Sequence, residues 1–423
     1  MGSEEHVIDI SRNDRRILRE LAKRVAEIGH DPVQNEKAEL WRRHNDLEAV
    51  RPMILTLPQG SWRELLPESE LQTSEDCPLR GLERDLRERI YYRQNIDDDT
   101  VIEPRIACPL VIRNTGWGIE TRCRQSEDPT GADRFESVIE DAGDLDKIQK
   151  PEISVDRQTS RRRYEQYEDL FGDILDVEME GRTGIKLAPM DVFARWRGHG
   201  RVLMDVVDNP DLVHRGLEKI VDGFVGMITQ LEQQDALSLN NRNHNPAQGG
   251  TGYTSELPQD DFDGEHVRLC DMWGFSAAQI FADVSPRMHE EFTLHHEKRF
   301  LSQCGLNSYG CCEPLHDKLD MVKKIPRIRR VSISPWADIE QSAAELQDKY
   351  IYSWKPNPSI IAGEGWDPDH AREYVRDFLR QTEGCVVEII MKDTHTCRNE
   401  PKRIREWTDI VREEVDRFMD GKR

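Results

Sequence analysis

No stretch of the 423 residues approaches the roughly 18 consecutive apolar residues that a membrane-spanning helix needs, so no span and no membrane partner are expected. The opening MGSEEHVIDISRNDRR lacks the basic-then-apolar order of a secretory leader, and the expectation is a cytoplasmic protein. Positive charge is in short supply: 59 Lys and Arg stand against 81 Asp and Glu, a formal net charge of -22. Binding to nucleic-acid phosphates demands clustered cations, so nucleic acid is not an expected partner. The nine cysteines are an odd number with no repeating framework, in a chain long enough to bury a core without staples. Disulfides are therefore not expected, and thiols or metal ligands are. The glycine-rich AQGGTGY stretch lacks Gly-Lys-Thr and any dinucleotide fingerprint; it reads as a mobile loop over a mouth.

What is present is a rhythm. The first fifty residues carry Ile17, Leu18, Leu21, Ala22 and Val25 at helical spacing, then a second helix near EKAELWRRHNDLEAV, and form an N-terminal helical extension over residues 1–50. RPMILTLP and IACPLVIRN read as strands. Residues 63–100 are dense in charge and read as solvated helices outside the core. Residues 122–163 read as an acidic, loop-rich insertion. The Asp run at 97–99 and the Arg run at 161–163 read as solvated loop charge, and His295 and His296 as exposed.

From about residue 165, short apolar runs (ALSLNN, VRLCDMWG, GLNSYGCC, RRVSISP, YIYSWKP, CVVEIIMKDTHT) alternate with amphipathic segments to the C-terminus. Strand, loop and helix in repetition predict parallel βα units, and the economical closure is a (β/α)8 TIM barrel over residues 51–423.

Barrel chemistry sits at the C-terminal ends of strands, and that rule selects specific residues. They are Asn240, Asn241, Asn243 and His244; Asp271 and Trp273; Cys311, Cys312 and Glu313; Ser332 and Ser334; Trp354, Lys355 and Asn357; and Asp393, His395 and Cys397. His395 and Cys397, two apart, share a face if extended, and so do Cys311 and Glu313. Cys, His and carboxylate are zinc donors, so the two stretches could each supply half of a metal site. Burial of the cysteines as small apolar residues is the plainer reading, and a nucleophilic cysteine with His316 or His395 as base is a third.

The order of elements resembles the uroporphyrinogen decarboxylase-like superfamily. The residues that carry the resemblance are NDLEAVRPMIL, ADVSPRMHEEFTLHHEKRFLSQCGL and CVVEIIMKDTHTCRNEPKRIREWTDIVREEV. It spans most of the chain from about Arg51 and is strongest from about residue 265. Within the superfamily the chain is most similar to the corrinoid-dependent methyltransferases, which hold zinc through a His-x-Cys pair and a further Cys after the last strand. Cys397 falls at the last-strand cysteine, and Cys311 or Cys312 at the cysteine of the pair. Tyr309 or Gly310 stands where the histidine would be, so the resemblance implies that Glu313 or His395 completes the set. LTLPQGSW contains no arginine before Arg63, which disfavours a porphyrinogen decarboxylase.

The resemblance implies a zinc-dependent methyltransferase, with Cys397 and Glu313 at the reacting centre and a small methylated donor, such as a methyl ether, or a small acceptor. Asn240, Asn243, Trp273 and Lys355 are its candidate substrate contacts. No DxHxxG signature occurs, so the corrinoid (cobalamin) is expected on a separate corrinoid-binding protein docking over the mouth, with the GGTG loop moving to admit it. A homodimer is left open. The alternatives are a decarboxylase-like lyase acting on a small carboxylic acid, and a noncatalytic barrel that binds a partner.

Overall fold

Most of the short apolar runs contribute parallel strands, but ALSLNN makes only an isolated bridge at Leu237. The computed structural model describes residues 8–124 and 134–421. Its principal strands are β1 Met53–Thr56, β2 Arg105–Pro109, β3 Asp176–Glu180, β4 Lys186–Leu187, β5 Trp273–Ser276, β6 Leu306–Tyr309, β7 Ile328–Ile333, β8 Ile351–Trp354 and β9 Val386–Met391. Seven of them make one continuous sheet in the order β1-β9-β8-β7-β6-β5-β4, every neighbour parallel, while β2 and β3 form a separate parallel pair.

The architecture is thus α/β around a parallel sheet, but backbone pairing does not close it into the expected eight-stranded ring among the described residues. Side chains stand where ladder partners would. Asp99 accepts a hydrogen bond from the Ile54 amide at 2.9 Å and Asp98 one from the Thr56 amide at 2.7 Å, so two carboxylates satisfy the free edge of β1. The expected solvated Asp run is therefore corrected: Asp98 and Asp99 are buried, and only Asp97 is exposed. On the far side, Arg182 and Leu237 make a single bridge. The Asn240 amide donates to the Thr183 and Trp273 carbonyls, and its oxygen accepts from the Trp273 amide.

Strand alternation divides the sheet into two unlike faces. Val331, Ile333, Tyr352, Trp354, Val387, Ile389 and Met391 point into the main hydrophobic core, where Trp354 stacks on Phe378 at 3.7 Å. Their alternates Arg330, Ser332, Ser353, Lys355, Glu388 and Lys392 are buried too, but on the inner face and polar. Trp354, a strand-end candidate, belongs to the outer face.

Helix α1, Arg12–Gly29, begins at the Ser11 cap and α2, Pro32–Asn45, at the Asp31 cap. Helix α1 packs with α3, Arg80–Tyr91, and α4, Arg157–Phe171, in a second core that includes Leu18, Leu21, Val25, Leu86, Ile90 and Phe171. Residues 63–100 thus contribute a buried face instead of lying wholly outside the core. The Arg run at 161–163 lies on α4, with Arg161 exposed. The 122–163 insertion contains the antiparallel pair Arg122–Arg124 and Arg134–Glu136, and its residues 125–133 lie outside the described ones. His295 is exposed as expected. His296 is buried, with its Nε2 3.0 Å from His214 Nδ1, because the helix carrying it turns that face to the core. Among the described residues no helix is long and apolar enough to cross a membrane.

Candidate functional site

The chain leaves β6 through Gly310, whose φ of +94° suits a residue without a Cβ, and bends at once. Glu313 fixes the bend. Its buried carboxylate accepts from the Cys311 amide at 2.9 Å and the Ala278 amide at 3.1 Å, tying the end of β6 to the end of β5. The result places Cys311 inside and Cys312 at the surface, with their sulfurs 3.6 Å apart. Lys392, the first residue after β9, brings its Nζ within 3.7 Å of Cys311 Sγ, 3.4 Å of Gln248 Oε1 and 3.1 Å of the Asp393 carboxylate. The Ser332 hydroxyl donates to the Cys311 carbonyl at 3.3 Å.

The electrostatics of this group follow from its proximity. The hydrogen bond from Cys311 lowers the Cys312 thiol to about 7 despite burial, and Lys392 adds to the effect. The same bond, with burial, pushes the Cys311 thiol up, so the pair keeps one proton between two sulfurs. Burial alone would lower the Lys392 ammonium; the neighbouring sulfurs and Asp393 outweigh it and hold it charged.

Two further lysines lie on the same side of the sheet. Lys355, after β8, is fully buried; burial lowers it to about 7, and its Nζ donates to the Ser353 carbonyl at 3.2 Å and to the Ser353 hydroxyl. Lys186, on β4, is lowered to about 8 by burial, and donates to the Ala247 carbonyl at 2.9 Å. Beneath them Ser353 donates to Glu388, which faces Arg330 and His44.

The segment 245–253 does not stand clear of the mouth as the mobile-loop reading expected. It is docked into the inner face, with Ala247 packed against Phe275 and Cys311. The Gly252 carbonyl accepts from the Trp273 indole at 2.9 Å and the Thr251 carbonyl from Arg330 at 3.1 Å. A Cβ on Gly250 would meet Arg330 Nη2 and Glu388 Oε2 at 2.7 Å.

No family model matches the sequence, and no curated protein does. Among solved structures the chain is similar to a methyltransferase from Methanosarcina mazei, with a TM-score of 0.49 and 9% identity over 90% of this chain and 99% of that one.

The residues singled out from sequence fall into separate places. Cys311 and Cys312 come together; Glu313 supports them from below with its carboxylate already engaged by two amides. Cys397 is buried elsewhere: its thiol donates to Glu64 Oε2 at 3.0 Å, and burial with that carboxylate raises it to about 12. His395 is exposed beside Gly60. Among the described residues no three His, Cys, Asp or Glu side chains stand together as a metal ion would require, so the donor set does not fit the three-ligand zinc centre the resemblance implied.

Asn240 spends its amide on the fold, and the buried Trp273 carries Arg330 over its ring at 5.1 Å. Asn243 donates to the Val101 carbonyl at 2.6 Å and lines a separate cavity of about 310 Å³ with Arg105, Glu180 and His244. Lys392, Lys186, Gln248 and Glu64 were missed. For Lys392 the signal was in the sequence, since Glu388, Ile390 and Lys392 share one face by alternation.

Proposed function

We propose that the chain is a methyltransferase acting on a small molecule at the strand-end face, with the Cys312 thiol as the group the substrate meets first. The observation that carries the reading is the grouping of Cys311, Cys312 and Lys392 at the ends of β6 and β9, under the 245–253 segment. Lys392 is placed to donate to an oxygen that gains negative charge as its methyl group departs, since an ammonium in a dry site stabilises such charge more than water does. Glu313 holds the two sulfurs in place. The resemblance supports methyl transfer and, with it, a corrinoid carried on a separate protein; that partner would dock over a face now covered by residues 245–253, which would have to withdraw. Among the described residues a zinc ion would find two sulfurs here and no third His, Cys, Asp or Glu donor, so no step runs through it. The closed (β/α)8 ring is kept as the architectural reading, with Asp98, Asp99 and Asn240 standing in for missing ladder bonds.

A second reading, a lyase acting on a small carboxylic acid, is favoured by one observation: the buried Lys355 and Lys392 and the exposed Lys186 lie on one side of the sheet, a set of amines suited to a carboxylate. The test is methyl transfer from a panel of methyl ethers to free reduced cobalamin, followed by its absorbance. The expected result is transfer in the native chain and at least a tenfold loss in Cys312→Ser and in Lys392→Met. Equal rates in all three proteins would overturn the assignment of the site. Carbon dioxide release from small acids without methyl transfer would establish the second reading.

A further inference from the structure

The two sulfurs support chemistry that methyl transfer does not use. We propose that Cys311 and Cys312 form a redox site in which an external disulfide oxidises the adjacent pair to a reversible intrachain disulfide. Three features of the geometry carry this. The sulfurs are in contact at 3.6 Å. One is exposed and one buried, so an incoming disulfide reaches Cys312 and not Cys311. The buried sulfur has an ammonium 3.7 Å away, which favours its thiolate at the moment it must attack.

The steps balance with a low-molecular-weight disulfide, R–S–S–R, as oxidant. The Cys312 thiolate attacks one sulfur of R–S–S–R, forming Cys312–S–S–R and expelling one R–S⁻. Cys311, losing its proton, then attacks Cys312 Sγ, closing the Cys311–Cys312 bond and expelling the second R–S⁻. The protein pair loses two electrons, the reagent gains two, and the two thiol protons pass to the departing thiolates or to solvent. Adjacent Cα atoms lie about 3.8 Å apart across a trans peptide. Disulfides usually span about 4.4–6.8 Å between Cα atoms, so this ring is strained and a mild thiol reverses it. The bond would cap the sulfur assigned to methyl transfer. That consequence rests on the proposed function; the thiol chemistry does not.

The experiment uses the folded full chain and the aromatic disulfide DTNB, with the double variant Cys311→Ser/Cys312→Ser giving the background from the other seven thiols. Above that background, the native chain is expected to release two equivalents of reagent thiol. The peptide spanning 311–312 should be recovered two hydrogens lighter, without adduct, and dithiothreitol should restore it. Cys311→Ser is expected to release one equivalent and to keep the adduct on Cys312. A lasting adduct on Cys312 in the native chain, or no release above background, would overturn the proposal. If the disulfide forms and methyl transfer continues unchanged, the role given to Cys312 in the reaction fails while the redox site stands.

Discussion

Arg330 and Glu388 meet on the inner face of the sheet, Nε to Oε1 at 3.0 Å, with side-chain exposures of 1% and 0%. Burial alone would raise the Glu388 carboxyl, but Arg330 foremost, then His44 and Lys355, outweigh it and lower it to about 2. Removing one member of such a pair strands the other charge without water. Glu388→Gln is therefore expected to destabilise the chain by about 3–5 kcal/mol, read as a lower urea midpoint. An unchanged midpoint would contradict the pairing.

The same depression sets an acid limb. A carboxylate lowered in the folded state contributes stability that is complete above its unfolded value of 4.5 and is lost as pH falls through about 2. Native stability is expected to decline across that window, and Glu388→Gln to flatten the decline. Stability curves of the two proteins against pH check it.

Lys355 works in the opposite sense. Its folded value of about 7 lies below the ordinary 10.5, so at neutral pH the unfolded chain binds a proton that the folded chain gives up. The penalty is complete below pH 7 and relieved as pH rises through 10.5. Lys355→Met is expected to stabilise the protein by a few kcal/mol near pH 6 and by little above pH 10. Chemical denaturation at the two pH values decides it, and a loss of stability at pH 6 would show that the ammonium is better paired than the Ser353 contacts suggest.

These charges were only partly legible in the sequence. The helix–strand rhythm was, because apolar runs such as CVVEIIM are distinctive and most of the strands overlap a run expected of them, Asp176–Glu180 and Lys186–Leu187 excepted. The strand end at the cysteines was located too, since it is readable from where the apolar run stops, but the turn at Gly310 that puts Cys311 inside and Cys312 outside was not. Glu388 and Arg330 were not singled out, because a charge inside an apolar run looks like a surface residue until a partner some sixty positions away is known to face it. The zinc grouping failed for a related reason: extended spacing put His395 and Cys397 on one face, but β9 ends at Met391 and the chain then turns Cys397 back towards Glu64.

The separation of those thiols has a metal-binding consequence. Beside Cys311 and Cys312 zinc finds no third donor among the described residues, so the chain is expected to lose added zinc on dialysis. Retention of one equivalent, lost equally in Cys312→Ser and Cys397→Ser, would mean that the sulfurs share one centre.

Gly250 has a φ of +73° and no room for a methyl group between Arg330 and Glu388. Gly250→Ala is expected to dislodge the segment around it at a cost of about 1–3 kcal/mol. Limited proteolysis should then cut within residues 244–253, where the native chain resists.

The same segment lends backbone oxygens to the Trp273 indole and the Arg330 guanidinium. Lifting it away leaves the indole N–H without its acceptor and takes one acceptor from a buried guanidinium that keeps only Glu388 and Asn45, so the open form lies above the shut one in free energy. Access to the inner face is therefore latched by the chain's own carbonyl groups, and whatever enters must replace what those oxygens supply.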